Sequence, residues 1–225
     1  MRTRLKVCCI QTPEEAQLAV ELGADAIGLV STMPSGPGPI PLALMEEIAL
    51  CVPPGVSVVL LTTTTDPGWL TAQIEIAHAG VVQLVEDRLK PQDLETLRKN
   101  LPGIKVMQVL HVEGASALDD VRAHSEAADA LLLDSGSPTA PTPTLGGTGR
   151  THDWSISSEI VRRSDKPVWL AGGLTPDNVT RAIAQVRPFG VDICSGIRVD
   201  GALNRALLQR LVDAIRIADE TVGTS

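Results

Sequence analysis

Eight short apolar runs recur along the chain, each followed by a stretch of helical pattern, and that repetition restricts the folds open to it more than any other feature. The runs cover residues 5–10, 26–30, 57–62, 81–85, 104–110, 130–134, 168–171 and 190–195, and the helical patterns begin near Pro13, Pro41, Trp69, Pro91, Ala115, Ser155, Pro176 and Leu203. Thr12-Pro13-Glu14-Glu15 and Thr175-Pro176-Asp177 open helices with an N-cap residue, Pro and acids. The last pattern carries Leu208, Leu211, Val212, Ile215 and Ala218 on one stripe. Aromatic residues are 2% of the chain, with no Tyr, so the core must be built from Val, Leu, Ile and Ala, the usual filling of parallel strands buried on both faces. Eight such units without a linker or a change in composition predict a (β/α)8 barrel, a TIM barrel of the α/β class, as a single domain over residues 1–225. An open doubly wound sheet of the dinucleotide-binding type would need a glycine fingerprint that the chain lacks.

Nineteen basic against twenty-seven acidic residues give a formal charge of −8 with no basic run, which argues against nucleic acid or an anionic membrane as partner. No signal-like segment or membrane-length apolar run is present, so the expected location is cytoplasmic. Cys8, Cys9, Cys51 and Cys194 lack zinc-type spacing and are expected as reduced thiols, with Cys8 and Cys9 on opposite faces of a strand.

A barrel gathers its functional side chains where strands end and loops begin. That rule selects Cys8 and Cys9, the 31–39 loop, Gln83, Asp134, the 146–153 segment, Gly172-Gly173 and the stretch from Asp192 to Gly196. The proline-rich loops at 33–41 and 135–143 read as long connections on the same face. Ala171-Gly172-Gly173-Leu174 ends the seventh run just before a helix, and Cys194-Ser195-Gly196 ends the eighth. Backbone amides and a helix N-terminus can therefore converge there on a phosphate. Gly146-Gly147-Thr148-Gly149 can add further amides. From position alone Asp134 is either a general acid/base or a cap of its loop, and Cys8 or Cys9 is either a thiol base or a small buried hydrophobe. His152 and Asp153 read as a loop brace and a helix N-cap, and His111 and His124 receive no role.

Taken in order, Lys6-Val7-Cys8, Gly23-Ala24-Asp25-Ala26-Ile27-Gly28, Gln83-Leu84, Leu131-Leu132-Leu133-Asp134, Gly146-Gly147-Thr148-Gly149 with Asp153-Trp154, Gly172-Gly173-Leu174 with Pro176-Asp177-Asn178-Val179, and Val191-Asp192 with Ser195-Gly196 resemble the phosphoribosylanthranilate isomerase family of tryptophan biosynthesis. The resemblance implies an Amadori rearrangement of a small phosphorylated sugar-amine, N-(5′-phosphoribosyl)anthranilate, without metal or organic cofactor. It implies Cys8 as general base and Asp134 as general acid. Gly147, Gly149, Gly172, Gly173, Ser195 and Gly196 would hold the phosphate, and Gln83, Asp192 and Arg198 the rest of the substrate. A homodimer is compatible with it. The chain departs from the family pattern where Cys9 replaces Gly, where Pro34-Ser35-Gly36-Pro37-Gly38-Pro39 lacks the Arg that meets the anthranilate carboxylate, and where Gln83-Leu84-Val85-Glu86 replaces Gln-Leu-His-Gly. His152 also stands for Phe, and Arg198 for Glu. The missing cation is expected from Arg198, Arg150 or His152. These departures leave open a relative acting on another phosphorylated sugar, or a non-catalytic phosphometabolite-binding barrel.

Overall fold

A computed structural model describes residues 2–33, 38–85, 89–126, 128–136 and 151–223. Eight parallel strands close into one barrel in sequential order: β1 (Arg4–Val7), β2 (Ala26–Val30), β3 (Ser57–Thr62), β4 (Val81–Leu84), β5 (Lys105–His111), β6 (Ala130–Asp134), β7 (Val168–Leu170) and β8 (Gly190–Ile193), with β8 pairing back onto β1. The helices α1 (Pro13–Glu21), α2 (Leu42–Leu50), α3 (Pro67–Ile76), α4 (Pro91–Asn100), α5 (Ala117–Glu126), α6 (Trp154–Arg163), α7 (Val179–Val186) and α8 (Arg205–Gly223) each follow one strand. A short hairpin of β9 (Arg198–Val199) and β10 (Ala202–Leu203) lies between β8 and α8. The expected TIM barrel is thus present, and no described helix is long and apolar enough to cross a membrane.

Strand alternation sorts the side chains. Leu5, Val7, Ile27, Leu29, Leu131, Leu133, Val191 and Ile193 belong to the large cluster that also takes in the helices. The intervening residues fill the barrel itself. One inner cluster holds Ala26, Val30, Val59, Leu61 and Val85, and another holds Met107, Val109, Leu132, Trp169 and Ala171. Two of the four aromatics sit together at the foot of the barrel, where Trp169 and Phe189 meet edge to face with centroids 5.6 Å apart. Gly190 makes this possible, because a Cβ there would lie 2.6 Å from the Trp169 ring.

Three details differ from the sequence reading. The first strand ends at Val7, so Cys8 and Cys9 follow it instead of completing it. Cys9 takes a φ of 59°, which breaks the alternation, so both thiols pack into the same inner cluster and do not face opposite ways. Helix α7 starts at Val179, three residues after Pro176, because the Asn178 side chain closes a turn first, accepting from the Thr175 amide and donating to Gly173 O.

Candidate active site

At the carboxyl ends of the strands the barrel turns polar. Cys8 is buried just past β1, with its amide donating to Ile193 O at 2.8 Å, so the ends of β1 and β8 are held side by side. Gly28 on β2 leaves room for the thiol, since a Cβ there would stand 3.0 Å from Cys8 Sγ. Asp134 ends β6, and its Oδ1 accepts from the Ser135 amide at 2.7 Å. Burial pushes the Asp134 carboxyl up, against the opposing pull of the Ser135 amide and His111, so this acid holds its proton more tightly than an ordinary aspartate.

One residue deeper, Lys6 and Asp192 are register partners on β1 and β8, and Lys6 Nζ donates to Asp192 Oδ2 at 2.8 Å. Lys6 is completely buried. Burial alone would lower its pKa, but the Asp192 carboxylate outweighs that and holds the ammonium charged, with the nearby Cys8 adding in the same direction. Asp192 Oδ1 and Gln83 Oε1 are buried without a hydrogen-bond partner among the described residues. Buried polar atoms are rarely left so in a finished interior. The Lys6 pairing was not assigned from sequence, although a lysine inside an apolar strand run is a signal that a counter-charge is needed.

The glycine ends of β7 and β8 have backbone that tolerates little else. Gly172 and Gly173 have φ of 82° and 61°, and a Cβ at Gly172 would come within 2.8 Å of three Ser135 atoms. Gly196 lies in a 3-10 turn over Ser195–Ile197, where a Cβ would fall 2.0 Å from Leu174 O. The two loops thus touch through backbone alone. Gly147, Gly149 and Arg150 lie outside the described residues.

Arg198 does not stand free to meet a ligand carboxylate. Its guanidinium pairs with Glu15 at 2.8 Å and donates to Cys9 O at 2.5 Å and to Gly201 O at 2.9 Å. Glu15 lies three residues after the N-cap of α1, where Thr12 accepts from the Glu15 amide and the Glu15 carboxylate accepts from the Gln11 amide. The same carboxylate also accepts from the Leu203 amide, so one acid ties α1, the β1 end and the hairpin together. Burial works against the charged form of Glu15, and Arg198 with these amides overcomes it. His152 braces α6, its Nε2 lying 2.6 Å from Ser157 Oγ, and burial lowers its pKa to about 4. Asp153 caps the same helix, accepting from the Ser155 amide.

The family model for N-(5′-phosphoribosyl)anthranilate isomerase matches residues 5–214. The chain belongs to the phosphoribosylanthranilate isomerase family. Among relatives, the N-(5′-phosphoribosyl)anthranilate isomerase of Methanocella arvoryzae is 33% identical over 216 residues, covering 96% of this chain and 99% of that protein. One from Methanosarcina mazei is 38% identical, covering 87% of this chain and 85% of the other. The solved isomerase of Pyrococcus furiosus superposes with a TM-score of 0.79 at 29% identity, over 96% of this chain and 100% of that one. A family structure in complex with reduced 1-(o-carboxyphenylamino)-1-deoxyribulose 5-phosphate gives 0.77 at 27% identity, covering 95% and 98%. Within this family frame, the β1, β4, β6 and β8 ends bring Cys8, Gln83, Asp134 and Asp192 to one mouth.

Proposed function

We propose that the protein isomerises N-(5′-phosphoribosyl)anthranilate to 1-(2-carboxyphenylamino)-1-deoxyribulose 5-phosphate in tryptophan biosynthesis. The observation that carries this reading is the placement of a thiol, Cys8, and a proton-retaining carboxyl, Asp134, at the same barrel mouth beside glycine-only loops. Asp134 gives its proton to the ribose ring oxygen as the C1′–O bond opens, leaving a protonated Schiff base at C1′. Cys8 then removes the C2′ proton, the electrons move into the C1′–C2′ bond, and the resulting enolamine relaxes to the ketose. Backbone amides at Gly172, Gly173, Ser195 and Gly196, with Gly147 and Gly149, hold the phosphate. Gln83 Oε1 and Asp192 Oδ1 accept from sugar hydroxyls, for which they have unused capacity.

Arg198 acts in this reading through the backbone it fixes, since Nη1 and Nη2 are taken by Glu15 and by the Cys8, Cys9 and Gly201 carbonyls, with the buried Nε left unpaired among the described residues. His152 is neutral at pH 7. The anthranilate carboxylate therefore falls to Arg150. A homodimer and a cytoplasmic setting belong to the same reading. A family structure from Thermotoga maritima, 26% identical, derives from a dimeric isomerase, and the four unbridged cysteines suit a reducing compartment.

The test is loss of substrate fluorescence with freshly generated phosphoribosylanthranilate. Turnover is expected in the parent, and loss of it in both Cys8→Ser and Asp134→Asn. Arg150→Ala is expected to raise KM by roughly tenfold to a hundredfold, the worth of a charge-assisted contact. A parent that binds ribulose phosphate analogues without turnover refutes the assignment in favour of a binding barrel.

A further inference from the structure

Two of the three thiols that the mechanism leaves unused lie against each other beside the one it uses. Cys9 Sγ and Cys194 Sγ are 2.7 Å apart, closer than van der Waals contact between two sulfurs and longer than a disulfide bond. The contact is built by the fold. Parallel pairing of Val7 with Ile193, continued by the Cys8 amide on Ile193 O, sets the two chain ends abreast. The left-handed φ of Cys9 then turns its side chain inward, and Gly38 closes over it, where a Cβ would stand 2.7 Å from Cys9 Cβ. Cys9 is buried, whereas Cys194 is only half-buried.

We propose that Cys9 and Cys194 are a reversible disulfide site, oxidised by peroxide, that controls turnover by locking the β1 end against the β8 end next to Cys8. The effect on turnover rests on the isomerase reading, but formation of the bond does not. The sulfurs need to close from 2.7 Å to the roughly 2.05 Å of a disulfide. The roles of the two thiols differ. The Cys9 contact, with Arg198 nearby, lowers the pKa of Cys194 and favours it as the attacking sulfur, while the contacts with Cys194 and Cys8 raise that of Cys9. In the first step Cys194 sulfur attacks peroxide, the O–O bond breaks, and Cys194 sulfenic acid and hydroxide form. Cys9 sulfur then attacks the sulfenic sulfur, its proton joins the leaving hydroxyl, and the S–S bond forms. Two thiols and one peroxide thus become one disulfide and two waters. A thiol reductant reverses the change by exchange at the half-buried Cys194 sulfur.

The bond crosses between strand ends that Arg198 already braces through the Cys8 and Cys9 carbonyls. In this proposal the bond fixes the backbone that carries Cys8 and so slows removal of the C2′ proton.

The experiment treats the folded protein with hydrogen peroxide, counts thiols after denaturation and maps the linked peptides by mass. Expected are a fall from four thiols to two, a Cys9–Cys194 link, and turnover reduced about tenfold or more and restored by dithiothreitol. Cys8→Ser must still form the link, which separates Cys9 from its neighbour in the mapping. Cys194→Ser must form none and keep its turnover in peroxide. Four surviving thiols, a link through Cys8, or sulfinic acid at Cys8 with the other two untouched overturns the site. A mapped link that leaves turnover unchanged overturns the control. A parent inactive before oxidation counts against the isomerase reading alone, and the mapping still decides the disulfide.

Discussion

Replacing Lys6 with Met should unfold a large part of what holds this barrel closed, although the two side chains are close in size. Lys6 is fully buried and Asp192 is 7% exposed, and their contact at 2.8 Å spans the seam between the first and last strands. Methionine would leave the Asp192 carboxylate in the barrel with no counter-charge. Removing one partner of a buried pair costs about 3–5 kcal/mol, a fifth or more of the roughly 5–15 kcal/mol that stabilises a typical domain. With a urea slope near 3 kcal/mol per M, the unfolding midpoint should fall by about 1–1.7 M. Lys6→Met combined with Asp192→Leu should recover much of that loss, because an apolar pair replaces a buried ion pair at little cost. The double variant should still lack turnover, since it also removes the Asp192 oxygen offered to the sugar. Urea unfolding followed by far-ultraviolet circular dichroism, at pH 7 and constant salt, measures both variants. A Lys6→Met midpoint within about 0.3 M of the parent, or a double variant no more stable than the single one, would refute the reasoning.

Gly196→Ala should raise KM for the phosphorylated substrate about tenfold or more with a smaller change in kcat, because the new methyl meets Leu174 O and must push the β7 and β8 loops apart; steady-state kinetics decide this, and an unchanged KM counts against a shared phosphate cradle. His152 titrates at about 4 in the fold against 6.5 for the free side chain, because burial disfavours the imidazolium despite Asp153. The unfolded chain therefore binds the proton first, so stability is fully present above pH 6.5 and declines toward pH 4, by up to ~3 kcal/mol. His152→Phe should flatten that window in denaturation midpoints compared at pH 7 and 4.5, and an identical slope in both proteins would assign the acid sensitivity elsewhere.

The barrel was legible in the sequence because its cause is local and repeated. Runs such as Ala26–Val30 and Ala130–Asp134 are too apolar to sit anywhere but between two layers, and their ends were readable to the residue. The rule that function gathers at strand ends then selected Cys8, Gln83, Asp134 and Asp192 without any distance being known. Sequence reasoning failed where a side chain's partner lies far away along the chain. Arg198 reads as a spare cation, yet Glu15, 183 residues earlier, takes its charge because closure of the barrel brings the hairpin against the start of α1. Lys6 and Asp192 are 186 residues apart and meet only because β8 pairs with β1. Composition and periodicity determined that eight strands would form and which residues their ends would carry. The closure of the sheet alone decided which charges neutralise one another, which stay available to a ligand, and that Cys9 would turn inward to meet Cys194.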